Sequence, residues 1–84
     1  MSKWEKLLAR VQSLDKSLVF EELRKVLEAY GYTMYAPRSG SSHYTFRKPG
    51  HNPITIPKHK PINLAYIRKV KDVVESEEID YVVC

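Results

Sequence analysis

Residues 39–50, SGSSHYTFRKPG, contain the side chains of this sequence that are best suited to acid–base chemistry. Their alternation of polar and apolar residues predicts a β-strand in which His43, Thr45 and Arg47 share one face. Histidine titrates near neutral pH and can act as a general base, and a cation can stabilise the extra negative charge of a pentacoordinate phosphate. Cleavage of RNA requires little more than these two groups, so His43 is a candidate catalytic residue.

Hydroxyl and basic residues on both sides of His43 are candidate phosphate ligands. Ser41 and Ser42 precede it directly, and a second basic stretch, residues 58–60, follows the next predicted strand. Within that stretch His59 is suited to binding phosphate, to transferring a second proton or to a structural role, and the sequence leaves these open. The predicted RNA- and phosphate-binding residues are Ser41, Ser42, Arg47, Lys48, Lys58, His59 and Lys60.

Charge is divided unevenly along the chain. The net charge is +4, yet residues 29–71 carry eight basic and no acidic side chains, while residues 72–84 carry five acidic and no basic ones. A basic segment without acids attracts phosphates at long range, so it predicts binding to a polyanion such as RNA. A partner protein with an acidic surface is a weaker alternative for the same segment.

Length and residue usage exclude several classes of protein. A chain of 84 residues fits a single domain, and it has neither an apolar run long enough for a membrane span nor the apolar core of a signal peptide. We therefore expect a cytoplasmic protein that does not contact a membrane. The lone cysteine, Cys84, excludes an internal disulfide, and no carboxylate lies in the segment that holds all three histidines, including His51 in a predicted exposed turn. No metal, cofactor or catalytic triad is expected.

Hydrophobic periodicity predicts helices at residues 2–14 and 19–30, with Gly31 in the left-handed position after the second helix. Three short extended runs, residues 32–36, 42–48 and 54–56, are separated by turn compositions and predict an antiparallel meander. Asn63 is a good N-cap for a final helix. The last apolar stretch, residues 79–84, is compatible with a fourth strand or a partner-binding tail.

Alternation assigns the two faces of this sheet. Tyr44, Phe46, Ile54 and Ile56 are predicted to point toward the helices, whereas His43, Thr45, Arg47 and Thr55 point away from them. The predicted class is α+β: a two-layer sandwich whose three-stranded antiparallel sheet is covered by helices on one face. Its core order, α-β-β-β-α behind an extra N-terminal helix, is that of a double-stranded RNA-binding domain. Three tyrosines are left without a predicted face, and one of them could stack on a base: Tyr32, Tyr35 and Tyr66.

Four sequence elements together resemble the HicA family of bacterial toxins. They are FEELRKVLEAYGY, GSSHYTFRKPG, ITIPKHK and INLAYIRKVKDVVE, with the opening MSKWEKLL as a further similarity. The resemblance covers residues 18–75 within a single domain of residues 1–84. Its most specific parts are the Gly-Ser-His-x-x-Phe-Arg element and the Pro-x-His element; this chain has Gly-Ser-Ser-His in the first and Tyr44 in place of a frequent second histidine.

The resemblance implies a toxin of a type II toxin–antitoxin system that cleaves mRNA without a metal and arrests translation. It implies that a HicB-type antitoxin neutralises the toxin by covering the active histidine. The family's catalytic histidine falls on His43, its small residues on Gly40, Ser41 and Ser42, and its basic position on Arg47. His59 matches the histidine of the Pro-x-His element, for which only a supporting role is carried over.

Two alternatives remain open from the sequence. The chain could be a non-catalytic RNA-binding module of the same topology, in which His43 and Arg47 only contact phosphates. The acidic tail, residues 72–84, could fold back on the basic face and weaken RNA binding, or it could serve only to keep the protein soluble.

Overall fold

The computed structural model describes residues 2–38, 42–58 and 61–83, with side chains as far as Ser76. It contains three helices and three strands in the predicted order, which confirms the α+β class and is consistent with a two-layer sandwich of the double-stranded RNA-binding type. The elements are α1 (Lys3–Gln12), α2 (Phe20–Ala29), β1 (Thr33–Tyr35), β2 (His43–Arg47), β3 (Ile54–Pro57) and α3 (Leu64–Val83).

The sheet is an antiparallel meander in the order β1-β2-β3. Thr45 at the centre of β2 lies opposite Tyr35 of β1 and Thr55 of β3. Phe46 and Ile56 are fully buried, and the residues that alternate with them on the other face are exposed or half-buried, except Pro57 at the end of β3, which is buried. The predicted assignment of faces is therefore confirmed, and we call the uncovered side, formed by Thr33, Tyr35, His43, Thr45, Arg47 and Thr55, the outer face.

The core lies between the inner face of the sheet and the helices. Apolar residues three or four positions apart on each helix supply it, and α1, predicted to pack against the rest of the domain, contacts α3. The buried helical residues are Leu7, Val11, Phe20, Leu23, Val26, Leu27, Ile67, Val70 and Val74. The uncovered outer face contributes none of these residues, so it remains available for other contacts.

Polar side chains begin the first and last helices. Ser2 and Glu5 form a reciprocal capping box on α1, and the side-chain carbonyl of Asn63 accepts a hydrogen bond from the Ala65 N–H at 2.8 Å. The predicted cap at Asn63 is confirmed. Val19, before α2, has no side-chain acceptor, as predicted, but its own N–H donates to Glu22 Oε1 at 3.1 Å.

Helices α1 and α2 both end in Schellman turns. After α2, the N–H groups of Gly31 and Tyr32 donate to the carbonyls of Glu28 and Leu27, and Gly31 has the predicted left-handed backbone with φ of 96°. After α1, Leu14 takes the equivalent position with φ of 57° although it has a side chain. Leu14 packs against the core, which offsets the unfavourable backbone conformation.

Arg10 ties the end of α1 to the start of α2. Its guanidinium contacts Asp15 Oδ2 at 3.0 Å and Glu22 Oε2 at 2.6 Å, and it donates to the Ser17 hydroxyl at 2.9 Å. Asp15 Oδ1 in turn accepts from the N–H and hydroxyl of Ser17. These bonds order the turn between the two helices and link the end of α1 to the first turn of α2.

The C-terminal stretch differs from the expectation of a fourth strand. The backbone of α3 continues as one helix to Val83. Glu75 supports this continuation through an i,i+4 pair with Lys71. The fourth strand is therefore wrong, and a continuous helix does not turn back toward the sheet as the fold-back hypothesis requires. A role of the tail in binding a partner stays a prediction.

Replacing Gly31 tests the turn that joins α2 to β1. A Cβ at this position would lie 3.4 Å from Lys48 Cε, so space is sufficient and the cost is mainly backbone strain. We expect Gly31→Ala to lower the free energy of unfolding by about 1 kcal/mol in urea denaturation. Gly31→Asn should lose less because asparagine tolerates left-handed backbone; equal stability of Gly31→Ala and the wild type would contradict this account.

Asp15 should contribute to the acid stability of the fold. Hydrogen bonds from the backbone and hydroxyl of Ser17, followed by Arg10, lower the pKa of Asp15 to about 2. The unfolded chain then binds more protons between about pH 4 and pH 2, so this contribution is complete above about pH 4 and is lost as pH falls toward 2. Urea denaturation across this range should show a shallower loss of stability for Asp15→Asn than for the wild type, and parallel curves would contradict the assignment.

Candidate functional site on the outer face of the sheet

His43 is the first residue of β2, and its side chain is exposed on the outer face. The register places it opposite Pro57, the last residue of β3, which is fully buried. One step further, the Lys58 N–H donates to the Ser42 carbonyl at 2.7 Å. His43 therefore lies at the rim of the sheet, on a backbone that is paired with β3 on both sides of it.

Pro57 is compatible with this ladder because of where it falls in the pairing. Antiparallel partners alternate between hydrogen-bonded and non-hydrogen-bonded pairs. Since Ser42 and Lys58 form a hydrogen-bonded pair, His43 and Pro57 form the next, non-hydrogen-bonded one, and the missing N–H of proline interrupts nothing. Side chains approach more closely in such a pair, so the pyrrolidine ring is a rigid neighbour for the imidazole.

Threonines occupy the centre of the outer face. Thr45 Oγ1 lies 3.4 Å from Thr55 Oγ1, directly across the two strands. On the other side of Thr45 stands Tyr35, whose side chain is exposed. The outer face thus presents hydroxyl groups between the imidazole of His43 and the guanidinium of Arg47.

Arg47 shares the outer face with His43 but lies at the opposite end of β2. It is exposed and pairs with Thr33 of β1. Four residues at about 3.3 Å each separate the two Cα atoms by about 13 Å. The His43 and Arg47 side chains therefore project from opposite ends of the same strand.

Lys58 and Ser42, two of the predicted phosphate ligands, belong to the helix-facing parity of their strands. The Lys58 ammonium lies 5.7 Å from the Tyr44 ring centroid and 5.8 Å from that of Phe20. Its Nζ is also 3.9 Å from Glu21 Oε1. The structure thus places this lysine against the start of α2, where it links β3 to the helical layer beside His43.

Lys48, a further predicted ligand, lies at the opposite end of β2 from His43. Its ammonium is 5.8 Å from the centroid of the Tyr32 ring, and its aliphatic stem covers Gly31. His51 lies near the same place, exposed as predicted, with its ring 6.2 Å from that of Tyr32. His51 lines a cavity of about 450 Å³ between the β2–β3 turn and α3. Neither residue is brought together with His43.

Three predicted site residues, Ser41, His59 and Lys60, fall outside the described residues, and so does Gly40. Their roles stay predictions. Sequence reasoning did not select Arg38, which is exposed at a bend three residues beyond Tyr35. Its place in the acid-free segment, five residues before the histidine, is a signal that makes it a candidate phosphate-binding cation.

Acidic side chains lie on the helical layer. The described ion pairs join Arg10 to Asp15 and Glu22, Arg24 to Glu21 and Glu28, Lys58 to Glu21, and Lys71 to Glu75. None of them involves a residue of the outer face, as far as the described residues go. Within the same part of the chain, no cluster of three or more histidine, cysteine, aspartate or glutamate side chains is arranged to hold a metal ion. Among the described residues, the outer face therefore carries the charge of Arg47 and no carboxylate.

Comparison with known families identifies the chain. The family model described as the HicA toxin of bacterial toxin–antitoxin systems matches residues 20–74, well over half of the chain. The chain belongs to the HicA toxin family. The match begins at the first residue of α2 and ends at Val74, a core residue of α3, so the HicA region contains the whole sheet and His43.

Two further comparisons gave no match, one with curated proteins and the other with solved structures. Among the described residues of this HicA-family protein, no helix is long and apolar enough to cross a membrane.

The position of Lys58 predicts a contribution to stability. Lys58→Met keeps the aliphatic stem but removes the ammonium from the rings of Phe20 and Tyr44, so we expect thermal or urea unfolding to show a loss of about 0.5–1 kcal/mol. Arg47→Met is the matched control on the outer face and should change stability by less than about 0.5 kcal/mol. If the two variants were equally stable, the ring contacts of Lys58 would contribute nothing measurable.

Proposed function

We propose that this HicA-family toxin is a metal-independent endoribonuclease that cleaves mRNA in the cytoplasm, with His43 as its general base. The observation that supports this most strongly is the exposure of His43 at the rim of an outer face that carries Arg47 and no described acidic residue. An open surface of this kind suits a polymer, since an RNA strand binds along several phosphates and needs no enclosed pocket.

The reaction that fits these groups is attack of the RNA on itself. His43 accepts the proton of a 2′-hydroxyl, the 2′-oxygen attacks the adjacent phosphorus, and the bond from phosphorus to the 5′-oxygen breaks as that oxygen takes up a proton. The products are a 2′,3′-cyclic phosphate and a 5′-hydroxyl. A positioned base contributes on the order of 10²- to 10⁴-fold to such a reaction.

Cations of the acid-free segment position the strand. Arg47 binds a phosphate next to the scissile one, because it lies about 13 Å from His43 along β2. Arg38 lies five residues before His43 in the chain, and we assign it to the scissile phosphate together with Ser41, His59 and Lys60. Ser42, Lys48 and Lys58 assist from the edges of the sheet, the last two through the ends of long side chains.

The antitoxin partner is proposed to be a HicB-type protein that covers His43. An acidic surface on that partner would be complementary to the outer face and would compete directly with RNA. Cleavage of mRNA then arrests translation in cells that produce the toxin. The competition explains why the antitoxin relieves this arrest.

Cleavage of a labelled mRNA in EDTA by the wild type and His43→Ala tests the proposal. We expect the variant to lose at least about 100-fold in rate while it retains RNA binding, because His43 acts on the proton and not on the phosphate charge. His51→Ala is the matched control, since His51 is an exposed histidine far from His43, and it should cleave like the wild type.

Two results would contradict the proposal. If the wild type binds RNA but does not cut it in EDTA or in magnesium, the chain is the non-catalytic RNA-binding module. If His43→Ala cuts at the rate of the wild type, another residue is the base.

A further inference from the structure

Tyr35 is unusual in its exposure. About half of its surface, 52%, is accessible to solvent, and within the described part of the chain it is the one large apolar side chain that is exposed. Its alternation partner in β1, Met34, packs against the core. The aromatic ring of Tyr35 therefore lies on the outer face and does not contribute to the hydrophobic core.

The register gives this ring specific neighbours. Tyr35 lies directly opposite Thr45, and on the same face of β2 His43 precedes Thr45 by two residues and Arg47 follows it by two. Both are diagonal neighbours of Tyr35, a relation that puts Cα atoms about 7–8 Å apart and within reach of aromatic and long side chains. The Tyr35 ring thus lies between the proposed general base, His43, and the guanidinium of Arg47.

We propose that Tyr35 is a stacking platform for one unpaired base of single-stranded RNA, and that this base places the adjacent ribose over His43. The proposal rests on the proposed function and adds to it that an unpaired nucleobase is required at the cleavage site. A nucleotide whose nucleobase stacks on Tyr35 can direct its ribose toward His43 and its phosphate toward Arg47. This is the arrangement that a general base and a phosphate ligand need.

The tyrosines other than Tyr35 that were candidates for stacking already have ring contacts. Tyr32 is buried, with the ammonium of Lys48 on its ring, and Tyr66 is half-buried beneath Lys69. The ring of Tyr44 faces inward and contacts Phe20. Tyr35 is the candidate whose ring face is on the same side of the sheet as His43.

Charge favours a nucleic acid over a protein as the occupant of this ring. The three strands carry no acidic residue and Arg47 shares the face of Tyr35, although three of the eight basic residues of the acid-free segment lie on α3. Stacking of a base on an aromatic side chain contributes on the order of 1–3 kcal/mol and tolerates any base, because every base has a π-face. A ring within a basic surface is the combination that proteins use to hold single strands.

Binding is measured in the His43→Ala background so that the RNA stays intact. The probes are a single-stranded RNA oligonucleotide and a ribose–phosphate strand of the same length without bases. Adding Tyr35→Ala should weaken binding of the RNA by about 5- to 150-fold and leave binding of the strand without bases unchanged. Tyr35→Phe should bind both like the parent, because stacking requires the ring and not the hydroxyl.

Two controls separate stacking from damage to the strand. Ala29→Ser changes an exposed residue of α2, away from the outer face, and should leave RNA affinity unchanged. Tyr35→Thr restores a side chain that favours β-structure while it removes the ring, and it should bind RNA as weakly as Tyr35→Ala. Thermal unfolding of each variant verifies that the folded protein is being compared.

Three outcomes would overturn the proposal. The first is that Tyr35→Ala weakens binding of the strand without bases as much as binding of the RNA, and the second is that Tyr35→Phe weakens RNA binding as much as Tyr35→Ala does. The third is that Tyr35→Ala leaves RNA affinity unchanged, even if it weakens binding to an antitoxin protein. A wild-type protein that binds RNA without cutting it would refute the nuclease but leave the stacking result intact, so failures of the two proposals are distinguishable.

Discussion

Burial of Phe46 fixes the register of β2, and the register fixes the face on which His43 lies. Phe46 is fully enclosed between the sheet and α2, with its ring 6.1 Å from that of Phe20. Because side chains alternate along a strand, a slip of one residue would expose Phe46 and bury His43. The pairing with β1 and β3 holds the same register from both sides. The position of one imidazole therefore depends on the packing of one phenyl ring three residues away.

The acidic residues of the chain all lie in the helical layer, together with many of the basic ones. The acids of residues 1–28 lie on or between α1 and α2, where they pair with Arg10, Arg24 and Lys58, and those that follow residue 71 lie on α3. The strands carry none. A polyanion approaching the sheet consequently meets Arg47 and hydroxyl groups, with no acidic side chain on the strands. This asymmetry supports the proposed binding of RNA to the outer face.

Much of this arrangement follows from local patterns in the sequence. Alternation in residues 42–48 predicted which side chains are buried, and Gly31 and Asn63 predicted where helices end and begin, because each signal depends on neighbours a few residues away. Other features depend on contacts between elements. The contacts of Lys58 with the rings of Phe20 and Tyr44 join residues far apart in the chain, so no local pattern could predict them. The side of the sheet on which Tyr35 lies likewise became clear only from its pairing with Thr45. The sequence of the apolar tail was compatible with a strand, but the structure shows that its backbone continues α3.

Binding of RNA to the outer face is the central claim, and an NMR titration tests it most directly. Wild-type protein labelled with ¹⁵N would be titrated with a single-stranded RNA whose 2′-hydroxyls are methylated, so that it cannot be cleaved and His43 is retained. The account predicts the largest amide shifts in β2 and its neighbours, at Tyr35, His43, Thr45 and Thr55, with α1 and the exposed side of α2 unchanged. Shifts centred on the helical layer, with the outer face unaffected, would contradict it.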